Sequence, residues 1–256
     1  MLGALSTARA AAGSAARALL DLALPRACVA CEQLLDAGDR GLVCGRCWAR
    51  LRELPHPQCA RCGHPSRHDR CSWCAQLAPF VRATRSVCWV SEGRGSGAAI
   101  VHALKYGGWH ALATAMAARM ARLAWPPDVV RERTALVPVP LAPVRERERG
   151  FNQSALLAQA LAAHWHVPVW SAILSRTRAT TTQTRLTPED RRHNVSGAFR
   201  VHPAAAPLRG AHLVLVDDVI TTGATLGECA GALFDAGARI ISMITFGRAP
   251  AIGDQA

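Results

Sequence analysis

Residues 214–226 read VLVDDVITTGATL, and this stretch decides the fold. Val214, Leu215 and Val216 form an apolar run, the mark of a buried strand. Asp217 and Asp218 follow. Thr221, Thr222, Gly223, Ala224 and Thr225 then make a small hydroxyl-rich turn that leads into the apolar pattern of a helix. Strand, tight turn and helix start in that order predict an open α/β sheet, whose ligands bind at the carboxyl ends of the strands. A helix start presents free backbone N–H groups and the positive end of the dipole, which suits a phosphate. The threonine hydroxyls can bond the same oxygens. The two carboxylates would repel a phosphate, but they accept hydrogen bonds from sugar hydroxyls. Phosphate on the turn and ribose on the acids describe a ribose 5-phosphate site.

A second unit of the same kind lies upstream. Residues 135–140, ALVPVP, read as a core strand stopped by Pro140, and a helix is expected from about Asn152 to Ala163. Between them, PVRERERGFNQ reads as an arginine-rich loop, with Arg145 and Arg149 placed to hold phosphate charge. The alternating Glu146 and Glu148 can also pair with those arginines, as on an ordinary solvated surface. Other expected strands cover 86–91, 195–201 and 241–246, and other helices 98–105, 109–123 and 224–236. The polar stretch 175–194 is too long for a tight connection and reads as a lid that excludes water from the site.

Ten cysteines are present, eight of them in four C-x-x-C pairs: Cys28/Cys31, Cys44/Cys47, Cys59/Cys62 and Cys71/Cys74. Such close pairs suit metal, not disulfides between distant parts. The segment has too few apolar residues to hold a fold alone. Two structural zinc ions supply the missing energy, about 10–16 kcal/mol apparent per site in small fingers. Sequential pairing is the simplest, with a crossed arrangement of the pairs as the alternative. Four sulfurs close each shell and leave no place for substrate. Trp48 and Trp73 sit among arginines here; either they stack on unpaired bases or they pack on the zinc sites. Three domains are expected: an N-terminal helix at 1–27, a double zinc ribbon at 28–78 and an α/β domain at 79–250.

The formal net charge of +12 points to phosphate-bearing partners, nucleic acid or nucleotides. Lys105 is the single lysine, and arginine makes up the rest of the basic residues. No apolar run is long enough for a transmembrane segment, and 1–27 lacks the continuous apolar centre of a secretory signal. With unpaired thiols, the expected location is cytoplasmic.

The loop VLVDDVITTGATL resembles the phosphoribosyl-pyrophosphate (PRPP) loop of the type I phosphoribosyltransferases. Joined to the C-x-x-C ribbon, LKYGG at 104–108, VPVPL at 137–141, RERGFNQ at 147–153 and QTRLTPEDRRHNVSGAF at 183–199, it resembles the ComF family of competence-associated proteins. The resemblance implies a type I phosphoribosyltransferase fold, a parallel sheet of about five strands flanked by helices with a small hood. It implies that Asp217 and Asp218 bind ribose hydroxyls and that Thr221 to Thr225 take the 5′-phosphate. It makes 137–141 and its arginine-rich sequel the pyrophosphate region, and the stretch holding Gln183, Arg191 and Asn194 a mobile catalytic loop. It implies a role in DNA uptake and natural transformation, with competence-machinery proteins as partners. One departure stands out: Pro143, Val144 and Arg145 occupy the place of the acid–serine–glycine pattern of the amidophosphoribosyltransferases. With neither an N-terminal cysteine nucleophile nor a glutaminase segment, glutamine-fed purine synthesis is not expected.

Three functions follow for testing. The first is a phosphoribosyltransferase-family protein that binds PRPP, or another ribose 5-phosphate, with magnesium and also holds single-stranded DNA. The second is a nucleic-acid-binding adaptor on an inactive scaffold. The third is a base-salvage phosphoribosyltransferase, a pentosyl transfer enzyme.

Overall fold

The computed structural model describes residues 26–251, except 37, 40, 67–70, 72, 75, 76, 92, 94 and 178–196, and also residue 254. The expected N-terminal helix therefore lies almost wholly outside the described residues.

Four long strands form one parallel sheet: β1 (Val81–Trp89), β2 (Arg133–Pro138), β5 (His212–Ile220) and β6 (Ile240–Arg248), in the order β1-β6-β5-β2. A one-residue parallel bridge from Leu136 to Val169 adds a fifth position beyond β2. Each strand is buried on both faces, as a parallel sheet covered by helices requires. Neighbouring residues alternate between two cores. Leu136, Val214 and Val216 join α2 (Gly95–Tyr106), α3 (Leu112–Met120) and α6 (Gln153–Trp165). Val137, Leu213 and Leu215 join α7 (Ala224–Asp235) and a small hood made of β3 (Leu174–Arg176) and β4 (Phe199–Val201), which pair antiparallel. A parallel sheet flanked by helices, with a hood and a cysteine-rich module, is the expected fold class.

The cysteine-rich module is built into this body. Its helix α1 (Gly45–Ala49) is capped by the Cys44 sulfur, which accepts from the Cys47 N–H. Cys28, Val43, Cys47 and Leu51 belong to the first core, and Cys62 and Trp73 to the second. The ribbon thus straddles the outer edge of β1, with one half on each face. The Trp89 N–H donates to the Arg52 carbonyl (2.7 Å) and the Thr84 N–H to the Arg61 carbonyl (2.8 Å). An open sheet edge is a template for unwanted pairing; here the ribbon backbone occupies it.

The strand expected at 86–91 begins earlier, at Val81. The arginine-rich segment expected as a loop is a helix, α5 (Pro143–Arg149). Pro143 stands at its first turn, where a missing N–H costs nothing. Gly150, at φ 78°, ends it in the left-handed conformation. The same Arg/Glu alternation that looks like a solvated loop also fits neighbouring turns of a helix. Asn152 then caps α6 by accepting from the Ser154 and Ala155 N–H groups, while its own amide donates to the Val139 carbonyl (3.0 Å). A single side chain thus ties the start of α6 to the end of the β2 segment.

Candidate functional site

The carboxyl ends of all four strands open into one cleft of about 1240 Å³. Asp217 and Asp218 line it from within β5, since the strand continues to Ile220. Asp218 is 3% exposed. Its Oδ2 lies 2.5 Å from Lys105 Nζ, and its Oδ1 accepts from Gln153 Nε2 (2.9 Å). The Asp217 Oδ1 accepts from Ser154 Oγ (2.7 Å) and from the Asp218 N–H (2.9 Å). Among the described residues its Oδ2 takes no hydrogen bond, so it is the open carboxylate oxygen of the pair. Burial, and then the charge of Asp218, push the Asp217 carboxyl up to about 7. Burial works against the Lys105 ammonium, but the Asp218 carboxylate outweighs it and holds that pKa above its ordinary value.

Thr221, Gly223, Ala224 and Thr225 line the same cleft at the start of α7. Thr222 is turned away to the helix, where its hydroxyl accepts from the Ala224 N–H (3.4 Å). Gly223, at φ 78°, is the N-cap, and only glycine adopts that conformation freely. Gly223 itself offers no side-chain cap, and the Thr222 hydroxyl takes the Ala224 N–H; the helix start still brings the positive end of its dipole to the cleft. Arg145 and Arg149 reach the cleft from α5, and Arg176 reaches it from the hood. Arg149 donates to Gln153 Oε1, and its guanidinium lies 5.0 Å from the Tyr106 ring centre. Gln183, Arg191 and Asn194 lie outside the described residues.

Lys105, Gln153, Ser154 and Arg176 are the site residues that sequence reasoning did not assign. A signal was there for three of them. Lys105 is the lone lysine within LKYGG, and Gln153 and Ser154 complete the FNQS that opens a helix. Nothing in the primary structure tells Arg176 from its many neighbours of the same type.

Two groups of four cysteines form, Cys28/Cys31/Cys44/Cys47 and Cys59/Cys62/Cys71/Cys74, each with all sulfurs within 4.8 Å of one another. The pairing is therefore sequential, not crossed. Sulfur separations of 3.9 Å (Cys31–Cys44), 3.3 Å (Cys59–Cys74) and 3.5 Å (Cys62–Cys71) are close to the roughly 3.8 Å edge of a tetrahedron with 2.3 Å zinc–sulfur bonds. The acid–base pattern points the same way. Burial raises Cys28, but N–H groups from Cys44, Ala30 and Cys31 outweigh it and bring it down to about 7, while burial and the neighbouring sulfurs push Cys47 up to about 12. Four thiolates can share such a space only around a cation. Two structural zinc ions fit these sites.

Both ribbon tryptophans pack against the body of the protein. Trp73 is 9% exposed, with the Arg248 guanidinium 4.5 Å from its ring centre. Trp48 is sandwiched between the Arg119 guanidinium, 3.4 Å from its ring centre, and the edge of Phe246.

Comparison with known proteins fits this picture. A model of the double zinc ribbon domain matches residues 19–78. DNA utilization protein YhgH of Salmonella typhimurium is 34% identical over 232 residues, covering 87% of this chain and 96% of that protein. Competence protein F of Haemophilus influenzae is 38% identical over 115 residues, 45% of this chain and 50% of that one. The chain belongs to the ComF family. Among solved structures, the glutamine PRPP amidotransferase of B. subtilis aligns over 56% of this chain and 30% of its own, at 17% identity and a TM-score of 0.38. A purine phosphoribosyltransferase from Pyrococcus horikoshii covers 56% and 85%, at 13% identity and 0.32. Among the described residues of this ComF-family chain, no helix is long and apolar enough to cross a membrane.

Proposed function

We propose that the chain binds a ribose 5-phosphate ligand, PRPP with magnesium foremost, in the cleft, and holds single-stranded DNA on the adjoining rim. One observation carries the first part. The open oxygen of Asp217, the start of α7 and two arginines of α5 line a single cleft. Sugar hydroxyls, a 5′-phosphate and a pyrophosphate each find a matching group there. Asp217 also suits magnesium, which binds through one or two carboxylates plus substrate phosphates. The cleft volume exceeds the usual 300–1,000 Å³ of a small-molecule site and leaves room for an acceptor.

Isothermal titration of PRPP with magnesium tests this. Asp217→Asn keeps an oxygen for the Ser154 hydroxyl but removes the charge. It should weaken PRPP roughly 10- to 100-fold at pH 8. Because Asp217 is raised to about 7, wild-type affinity should fall as pH drops below 7, while the variant stays flat. Equal affinity of the two proteins at pH 8 would remove Asp217 from the site.

The DNA part rests on the rim. Tyr106, 62% exposed, lies beside Arg145 and Arg149, and Trp109, three residues on, is 45% exposed. A Cβ on Gly107 would lie 2.6 Å from the Trp109 ring, so LKYGG is shaped to hold that indole. Relatives named for DNA utilization and competence support the same partner. Base stacking is worth about 1–3 kcal/mol per base, so Tyr106→Ala with Trp109→Ala should weaken oligo(dT) binding at least roughly tenfold. Arg145→Ala with Arg149→Ala should flatten its salt dependence. Unchanged binding in both variants would move DNA off this rim.

An adaptor on a catalytically silent scaffold is the second reading. It is favoured by Asp218, which is already engaged by Lys105 and Gln153. Pyrophosphate release from PRPP across a panel of acceptors separates the two. Release supports an enzyme, and tight PRPP binding with no release from any acceptor supports the adaptor.

A further inference from the structure

The second ribbon touches the phosphate turn through one indole. Trp73 stands between Cys71 and Cys74, two sulfurs of the second metal group, so metal binding fixes its backbone on both sides. Its six-membered ring lies 3.6 Å from the point where a Gly223 Cβ would be. Gly223 is the left-handed residue that starts α7 and has no side-chain cap. With no side chain of its own, Gly223 takes its position from what packs against it, and here that is Trp73 together with Ile220.

Arg248 secures the indole from behind. It ends β6, is 1% exposed and lies over the Trp73 ring. Its Nη2 donates to the Cys62 carbonyl (2.6 Å), while Nε and Nη1 have no hydrogen-bond partner among the described residues. A guanidinium buried to this degree needs a countercharge. Four thiolates around one divalent ion carry a net double negative charge; Cys62 and Cys71 of that group, and then Asp254, are the neighbours whose charge favours Arg248. The main chain adds a second link, because Arg248 pairs with Ile220 in the sheet and the Ala249 N–H donates to the Ile220 carbonyl (2.8 Å). Ile220 is the last residue before the turn.

We infer that the second zinc ribbon is a working part of the phosphate site. Arg248 and Trp73 are positioning residues that hold the turn at 221–225 in its ligand-ready shape, and loss of metal from Cys59, Cys62, Cys71 and Cys74 loosens it. The ligand side of this inference rests on the ribose 5-phosphate reading above; the mechanical side does not.

Hydrogen–deuterium exchange on the full zinc-loaded chain separates the two. In Trp73→Ala, the hydrogen-bonded amides of 221–227, Ala224 and Gly227 among them, should exchange about tenfold faster, since exchange reports local opening. Amides of α3, on the other core, should be unchanged. Ribose 5-phosphate, titrated into the same samples, should bind about tenfold more weakly. Arg248→Lys keeps the charge but loses the flat stack. It should retain two zinc ions and still show the faster turn, which guards against a Trp73→Ala that does not fold. Unchanged exchange at 221–227 in Arg248→Lys overturns the inference. Faster exchange in variants of a protein whose wild type ignores ribose 5-phosphate supports the mechanical coupling and overturns the ligand reading alone.

Discussion

Replacing Lys105 by methionine is expected to cost about 3 kcal/mol of stability at pH 8, and clearly less at pH 5. Asp218 is buried, and Lys105 is the cation within an ion-pair distance of it. Removing one partner of such a pair strands a charge, which is far more harmful than removing both. We take the low end of the usual range because the lysine side chain is 25% exposed and water screens part of the loss. For a chain of this size the drop corresponds to roughly 6–12 °C in Tm. The double variant Lys105→Met with Asp218→Asn should recover most of it, since no unpaired charge remains and the Gln153 amide keeps its acceptor.

The pH dependence follows from Asp217. Its folded pKa, about 7, lies above its unfolded value near 4. Stability from this group is therefore complete below about 4 and is lost as pH rises towards 7. Lys105 is one of the influences that lower Asp217, so without it Asp217 rises further and the loss extends above pH 7. The deficit of the single variant should therefore widen as pH rises past 7, the folded pKa of Asp217 in the wild type. Urea melts at pH 5 and pH 8 would settle it: an equal deficit at the two pH values, with no recovery in the double variant, would mean that Lys105 acts by packing alone.

How far the primary structure could be read depended on whether each signal was local. Strand, acid pair, threonine–glycine turn and helix in 214–226 are all local, and each kept its place. Thr222 is the exception, because a hydroxyl two residues from a helix N–H can cap it as readily as it can face a ligand. The first half of β1 was hidden by Arg82 and Arg85, which look wrong for a buried strand. Their partners are distant: Asp128 takes both ends of Arg82, and carbonyls of Ala60, Arg61 and Ala124 take Arg85. Lys105 was conspicuous by its rarity but had no assignable role, since its partner comes from another strand–helix unit. The zinc pairing needed only sulfur separations to become unique. Trp48 and Trp73 needed the arginines that cover them, one from α3 and one from β6.

Stripping zinc is the second large expected effect: the chain should lose its cooperative melt and associate. Elemental analysis should find two zinc ions per chain in the native protein and one in Cys44→Ser. Cys88→Ala should keep both, because Cys88 lies in β1, outside the two sulfur groups. The magnitude decides the outcome. A structural site is worth about 10–16 kcal/mol apparent in small fingers, while a whole domain is stable by only about 5–15 kcal/mol. Even a fraction of one site therefore competes with the entire margin. The damage should not stay in the ribbon, because Cys28 and Cys47 are buried in one core and Cys62 in the other. Without the ribbon, the bonds from Arg52 and Arg61 to β1 go as well, and a long buried strand becomes an open edge ready to pair with another chain. Light scattering should thus rise together with loss of the calorimetric transition. A zinc-free chain that stayed monomeric and melted in one unchanged step would show that the sheet supports itself and that the ribbons are only attached to it.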